Sequence, residues 1–334
     1  MPATVSILVA PTRFGRGRRG PARTILLTVA QGVLTLFLVS LLIFVVTQAM
    51  PGDVAAVILG SDATPESLAA LRAQLGLDRP LWEQYLSWLL GVLHGDFGVS
   101  LANREAVPVA ELIAPRLSNS VALAGVSLVV MLPLAVVIGV VAARFRDSLF
   151  DRAFLAVSMV VNATPEFVIG MVLITLLGTT VFPVLPPVAL IPPGASPLAY
   201  PAEITLPVIA VVLSGIAYLG RLVRVSFIDV LDSEYVQTAT LKGLSEARIL
   251  FRHALPNALP PVVPAATLVA ASVVGGVVVV EYLFGFNGLG GALVSAVNTR
   301  NLPVIQAIVL IIATAYFTLN LVADALTARL HRTR

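Results

Sequence analysis

The chain has 334 residues, 58% hydrophobic and 12% charged, with a mean hydropathy of +0.96. A soluble domain carries about twice that charged fraction, so the composition excludes an ordinary soluble protein and suits one membrane bundle. The net charge of +3 does not imply nucleic acid binding, and the lack of cysteine excludes disulfides, thiolate metal sites and cysteine nucleophiles.

Residues 1–23 are Arg-rich and read as a basic cytoplasmic tail without fixed structure. A cleaved signal peptide is disfavoured: the apolar run that follows is too long and has no clear small-x-small cleavage site. The first transmembrane helix is expected over 24–49. An external helical insertion follows over 50–116. Thr64, Pro65 and Glu66 open a helix there as N-cap, first-position proline and first-turn acid. Leu68, Leu71 and Leu75 give it an apolar stripe, and Gly76 ends it. Pro80 opens a second helix with Leu81, Tyr85, Trp88 and Val92 on one face. Amphipathic helices with tryptophan suit a membrane interface.

A transmembrane core is expected over 117–330. Stretches free of Asp, Glu, Lys and Arg lie at 24–52, 117–143, 153–165 (continuing past Glu166 into the 170s), 204–220, 253–280 and 301–323. Each is near or above the ~20 residues that cross the hydrocarbon layer. They predict an all-α integral membrane protein with six transmembrane helices, since barrel strands would alternate. At the end of the short 204–220 run, Arg221 and Arg224 are expected to snorkel. Residues 182–203 and 283–301 read as external loops, the latter closing in a glycine-rich turn. With a cytoplasmic N-terminus, sixteen of the Arg and Lys residues fall inside and five outside. The positive-inside rule therefore puts both termini and the polar segment 232–258 in the cytoplasm.

No enzyme chemistry is expected. Lys242 is the sole lysine, and Gly243 follows it, so no phosphate-binding Gly-Lys-Ser/Thr loop exists. His94, His253 and His331 are far apart and have no metal-ligand spacing. The sequence offers no catalytic residue, no metal site and no cofactor.

The segment 232–258 is the most structured interruption of the apolar pattern. Asp232 or Ser233 can cap a first short helix, and Gly243 permits a left-handed turn. Ser245 can cap a second helix with Leu244, Ala247, Leu250 and Ala254 as its apolar stripe and Pro256 as its end. Residue physics alone leaves two readings open: an amphipathic loop on the inner leaflet, or a plug offered to a soluble partner.

The spacing Gln237-Thr-Ala239, three residues, Gly243, nine residues, His253-Ala-Leu255-Pro256 resembles the cytoplasmic motif of binding-protein-dependent ABC importer permeases. Gln, Thr and His here replace the usual Glu, Ala and Ile. Arg252-His-Ala-Leu-Pro-Asn257-Ala is similar to the dipeptide/oligopeptide/nickel branch. So are Met50-Pro-Gly-Asp53, Leu75-Gly-Leu-Asp78-Arg-Pro80, Gly95-Asp-Phe-Gly98, Glu281-Tyr-Leu-Phe284, Gly288-Leu-Gly290 and Asn320-Leu-Val-Ala-Asp324. The B-type subunit is the best match. The resemblance implies a type I ABC importer permease fold in a bacterial inner membrane. It makes 232–258 the coupling helices, with Gln237, Ala239, Lys242, Gly243, Ser245, Arg252, His253, Leu255 and Pro256 facing an ATPase. It implies as partners a second homologous permease in a heterodimer, two ABC ATPase subunits and an extracytoplasmic solute-binding protein, besides membrane lipid. Peptide is the expected cargo, with nickel or another solute as the alternative on the same scaffold. A stand-alone channel or secondary carrier is the alternative of another class.

Polar groups within spans are costly and tend to face cavities. Asn162 and Glu166, beside Pro165 in the third span, are therefore candidates for the translocation path. Glu281 is a further candidate, with an interhelical anchor as its other reading. Gly275 and Gly276 permit close helix approach, expected toward the partner permease.

Overall fold

The computed structural model describes residues 21–49, 54–59, 63–100 and 106–332. The basic tail up to residue 20 and the Met50–Asp53 motif lie outside the described residues. The elements in order are α1 (Pro21–Gln48), α2 (Val54–Leu59), α3 (Pro65–Leu75), α4 (Leu81–Leu93), β1 (Val99–Ser100), β2 (Val107–Pro108), α5 (Val109–Arg144), α6 (Leu149–Ala163) and α7 (Glu166–Leu173). They continue with α8 (Pro201–Leu231), α9 (Glu234–Leu241), α10 (Glu246–Arg248), α11 (Leu255–Ala258), α12 (Val262–Leu283), α13 (Leu289–Asn298) and α14 (Leu302–Arg332). β1 and β2 form a two-residue antiparallel clasp, Val99 opposite Pro108 and Ser100 opposite Val107.

Five helices, α1, α5, α8, α12 and α14, are long and apolar enough to cross a membrane. A sixth span exists if α6 and the stretch Glu166–Thr179 count as one, but the two are bent by 112°. The break falls where the chemistry demands it. Thr164 leaves the helix in an extended conformation, and Pro165 has no N–H to continue the ladder. A π turn over Ile174–Thr179 finishes this arm.

α8 is the hub. Its most apolar stretch is 67% buried, against 33% for α5, α12 and α14 and 17% for α1. α5 and α8 run parallel, which glycine allows: a Cβ on Gly139 would lie 2.6 Å from the Gly220 carbonyl oxygen and 2.7 Å from the Val223 side chain. Their C-terminal ends mark the lower end of the bundle, where 232–258 lies. Arg224 does not snorkel. It turns inward and donates from Nε and Nη2 to both carboxylate oxygens of Asp151 on α6, at 2.5 and 2.6 Å. Asp151 is 1% exposed, so the pair is a buried bidentate bridge.

α1 packs antiparallel on α14, where Gln306 donates to the Thr47 hydroxyl at 2.8 Å. α3 starts at Thr64 with a reciprocal capping box to Ser67 and ends on left-handed Gly76, φ 67°. α4 leans on α1 through Tyr85, whose hydroxyl meets that of Ser40 at 2.8 Å and whose ring meets Phe44 edge-on at 5.3 Å.

The expected loop 283–301 is a correction. It is a short turn followed by α13, whose Leu289, Ala292 and Ala296 are buried at helical spacing. Its glycines serve close packing. A Cβ on Gly290 would sit 2.0 Å from the Val278 carbonyl oxygen, and one on Gly288 would strike the Glu281 carboxyl group.

Candidate functional site

At the lower end, α9 begins at Glu234 after Ser233, Gly243 takes φ 74°, and a continuous helical run follows over residues 246–258. Neither Ser233 nor Ser245 makes a capping hydrogen bond with its side chain; the Ser233 hydroxyl donates back to the Val230 carbonyl. Pro256 does not end the run. A π turn over Ile249–Ala254 precedes it, in which Leu255 N–H donates to the Leu250 carbonyl five residues back. The wider turn also changes the buried face. Ile249 and Ala254 point inward while Ala247 is exposed, so the expected three-and-four spacing gives way to five.

The segment is fastened to the bundle. Val236, Ala239 and Ile249 form one apolar cluster with Leu231 and Leu244. Ala254 and Ala258 pack on Ala143 and Phe227, with Leu255 alongside. Arg144 donates to Glu246 at 2.7 Å and Arg146 to Asp232 at 2.9 Å, clamping the segment to the end of α5.

The sequence-predicted coupling residues therefore divide. Gln237, Lys242, Gly243, Ser245, Arg252 and Pro256 are exposed, and His253 is half-buried. Ala239 is buried and Leu255 partly so, and both serve packing beneath the surface. Sequence reasoning passed over two side chains that dominate the exposed face: Leu241, 88% exposed, and Phe251, 65% exposed. Their signal was phase. Leu241 lies five residues past the buried Val236, on the far side of α9, and Phe251 lies between the inward Ile249 and Ala254.

A second feature lies within the bundle. Asn162, Glu166, Ser214, Tyr218 and Ser272 share a cavity of about 340 Å³, walled otherwise by Val211, Gly215, Leu268, Val269 and Val273. The break at Pro165 turns Glu166 toward α12. There Gly276 makes room: a Cβ at that position would lie 2.3 Å from Glu166 Oε2. Gly276 thus admits a side chain of its own chain, whereas a Cβ on Gly275 would meet nothing within 4 Å.

Glu281 is not at this cavity. It is 0% exposed, and its Oε2 accepts the Gly290 N–H at 2.7 Å at the start of α13. The Ser120 hydroxyl oxygen accepts the Leu289 N–H at 2.9 Å beside it. Glu281 thus anchors α13 to α12, and its other reading as a path residue finds no support in this placement. Among the described residues, no group of three or more His, Asp or Glu side chains could hold a metal ion.

Residues 135–334 match the family described as binding-protein-dependent transport system inner membrane component, and residues 22–124 match its N-terminal companion. The chain belongs to this family. A Brucella abortus protein named as a peptide transport system permease is 34% identical to the permease over 302 residues, covering 90% of this chain and 95% of that one. The Escherichia coli glutathione transport system permease protein GsiC is 36% identical over 301 residues, covering 89% and 94%. The permease is accordingly a multi-pass membrane component of an ABC transport system, in a family of permeases rather than of catalysts.

Proposed function

We propose that this permease is one membrane subunit of an ABC importer of peptides. In this reading it forms half of the translocation path against a second, homologous permease. It receives cargo from an extracytoplasmic solute-binding protein and is driven by two separate ATPase subunits. The names of its relatives support the cargo, since glutathione is itself a small peptide. Six spans, an external insertion over 50–116 and cytoplasmic termini complete the reading. The concentration of Arg and Lys toward the lower end supports that orientation.

The observation that carries the reading is the exposed face of 234–256. The segment is largely polar yet exposes Leu241 on α9 and Phe251 on the run after Gly243, and an apolar anchor in a groove is a common form of helix recognition. Gln237, Lys242, Gly243, Ser245 and Arg252 are exposed on the same segment and complete the proposed ATPase contact. The packing of Ala239 and Leu255 beneath it, with the exposed ion pairs from Arg144 and Arg146 alongside, ties the face to the ends of α5 and α8. Ligand-driven closure of the ATPases would then move the bundle between inward- and outward-facing states.

Copurification tests this directly. Leu241→Asp/Phe251→Asp changes only exposed side chains, so the permease is expected to insert and stay folded while ATPase recovery falls at least tenfold. Undiminished recovery of the ATPases with the double variant would remove the proposed interface.

A further inference from the structure

We propose that the Glu166 cavity is a subsite for a primary ammonium group of the transported peptide. This rests on the reading of the permease as a peptide importer subunit. Glu166 differs from the two acids that are fully buried in the bundle, Asp151 and Glu281. Asp151 is held by Arg224, and Glu281 holds the Gly290 N–H, whereas Glu166 makes no hydrogen bond or ion pair with any described residue. A carboxyl group left unpaired within a membrane bundle is costly, and such groups mark ligand pathways.

The groups around it define what it would accept. The Ser214 hydroxyl donates to the Ala210 carbonyl and the Ser272 hydroxyl to the Leu268 carbonyl at 3.0 Å. With their hydrogens directed to their own helices, both oxygens are left to act as acceptors. Asn162 adds an amide at the rim, which offers either its oxygen or its NH2 group. A carboxyl group among acceptors suits a ligand that carries several donors and a positive charge. An ammonium has three N–H donors and no acceptor. A peptide carboxylate would meet Glu166 with no cation among the lining residues to offset it, the Tyr218 hydroxyl and the Asn162 amide being only neutral donors. The volume of about 340 Å³ lies at the small end of ligand pockets, fit for one end or one side chain of a peptide rather than the whole.

The ammonium could come from the peptide N-terminus or from a lysine side chain, and two measurements on the complete complex separate them. The first follows modification of Glu166 by a hydrophobic carbodiimide, read by mass spectrometry. A free-amine alanine tripeptide, its N-acetylated form and an N-acetylated peptide with one lysine serve as competitors. Protection by the free-amine peptide and not by acetylated alanine is expected, and protection by the lysine peptide extends the subsite to side chains. Equal labelling with all three would overturn the proposal. The second compares initial uptake by wild type and Glu166→Gln for each peptide, so that the preference of the binding protein cancels. The substitution is expected to slow the free-amine peptide about tenfold more than the acetylated one. Equal slowing of both, or of neither, would contradict it. Stimulation of ATP hydrolysis by loaded binding protein in the wild-type complex is recorded alongside. Its absence would count against the importer reading, independently of the subsite.

Discussion

Asp151 and Arg224 show how a single buried pair fixes the lower half of the bundle. The carboxylate is 1% exposed and both its oxygens are taken by one guanidinium, which ties α6 to the hub helix α8. Removing one partner strands the other charge, so Asp151→Asn is expected to cost about 3–5 kcal/mol, whereas the apolar pair Asp151→Leu/Arg224→Met recovers much of that. Thermal unfolding of the three proteins in nanodiscs measures both effects, and an Asp151→Asn midpoint equal to wild type would refute the account of the pair. Little of this was legible in the sequence. Arg224 read as a charge at the end of a short apolar run, and nothing in the order of residues joins it to an acid 73 positions earlier. Glu166 was legible, since an acid beside Pro165 in an apolar run stands out; that Gly276 accommodates it was not, because the contact crosses helices.

Elements with strong local signals emerged where the sequence placed them. Thr64 and Pro65 start α3, and Gly76 and Gly243 end helices with positive φ. A Cβ on Gly243 would meet nothing within 4 Å, so Gly243→Ala is opposed only by its backbone conformation. The expected cost is about 1–2 kcal/mol of local stability. Hydrogen exchange over α9 to α11 should show faster opening there with protection elsewhere unchanged, and uniform protection would argue against a required left-handed bend. Two elements were misread for identifiable reasons. The glycines of 288–291 suggested a tight turn in an external loop, yet Gly288 and Gly290 are there because the start of α13 approaches Glu281 and Val278 too closely for a Cβ. The π turn before Pro256 has no local marker: five-residue spacing of Ile249 and Ala254 looks like noise against a three-and-four pattern. That same misphasing hid Phe251 as an exposed side chain of the segment.

On the scale of the molecule, the arrangement places a cavity with an unpaired acid at the broken third span and a partly apolar surface at the lower end. The parallel pair α5–α8 joins them. α8 contributes Ser214 and Tyr218 to the cavity and ends beside Asp232, which Arg146 clamps. A displacement at 232–258 therefore reaches the cavity along one helix. The low burial of α1, α5, α12 and α14 leaves apolar faces for lipid and, in the proposed reading, for a second permease. The most direct test of this account is peptide uptake into proteoliposomes holding the complete complex, with ATP inside and loaded binding protein outside. The account predicts uptake that requires ATP and is lost in Leu241→Asp/Phe251→Asp. Uptake that proceeds without ATP, or at the wild-type rate in that double variant, would contradict it.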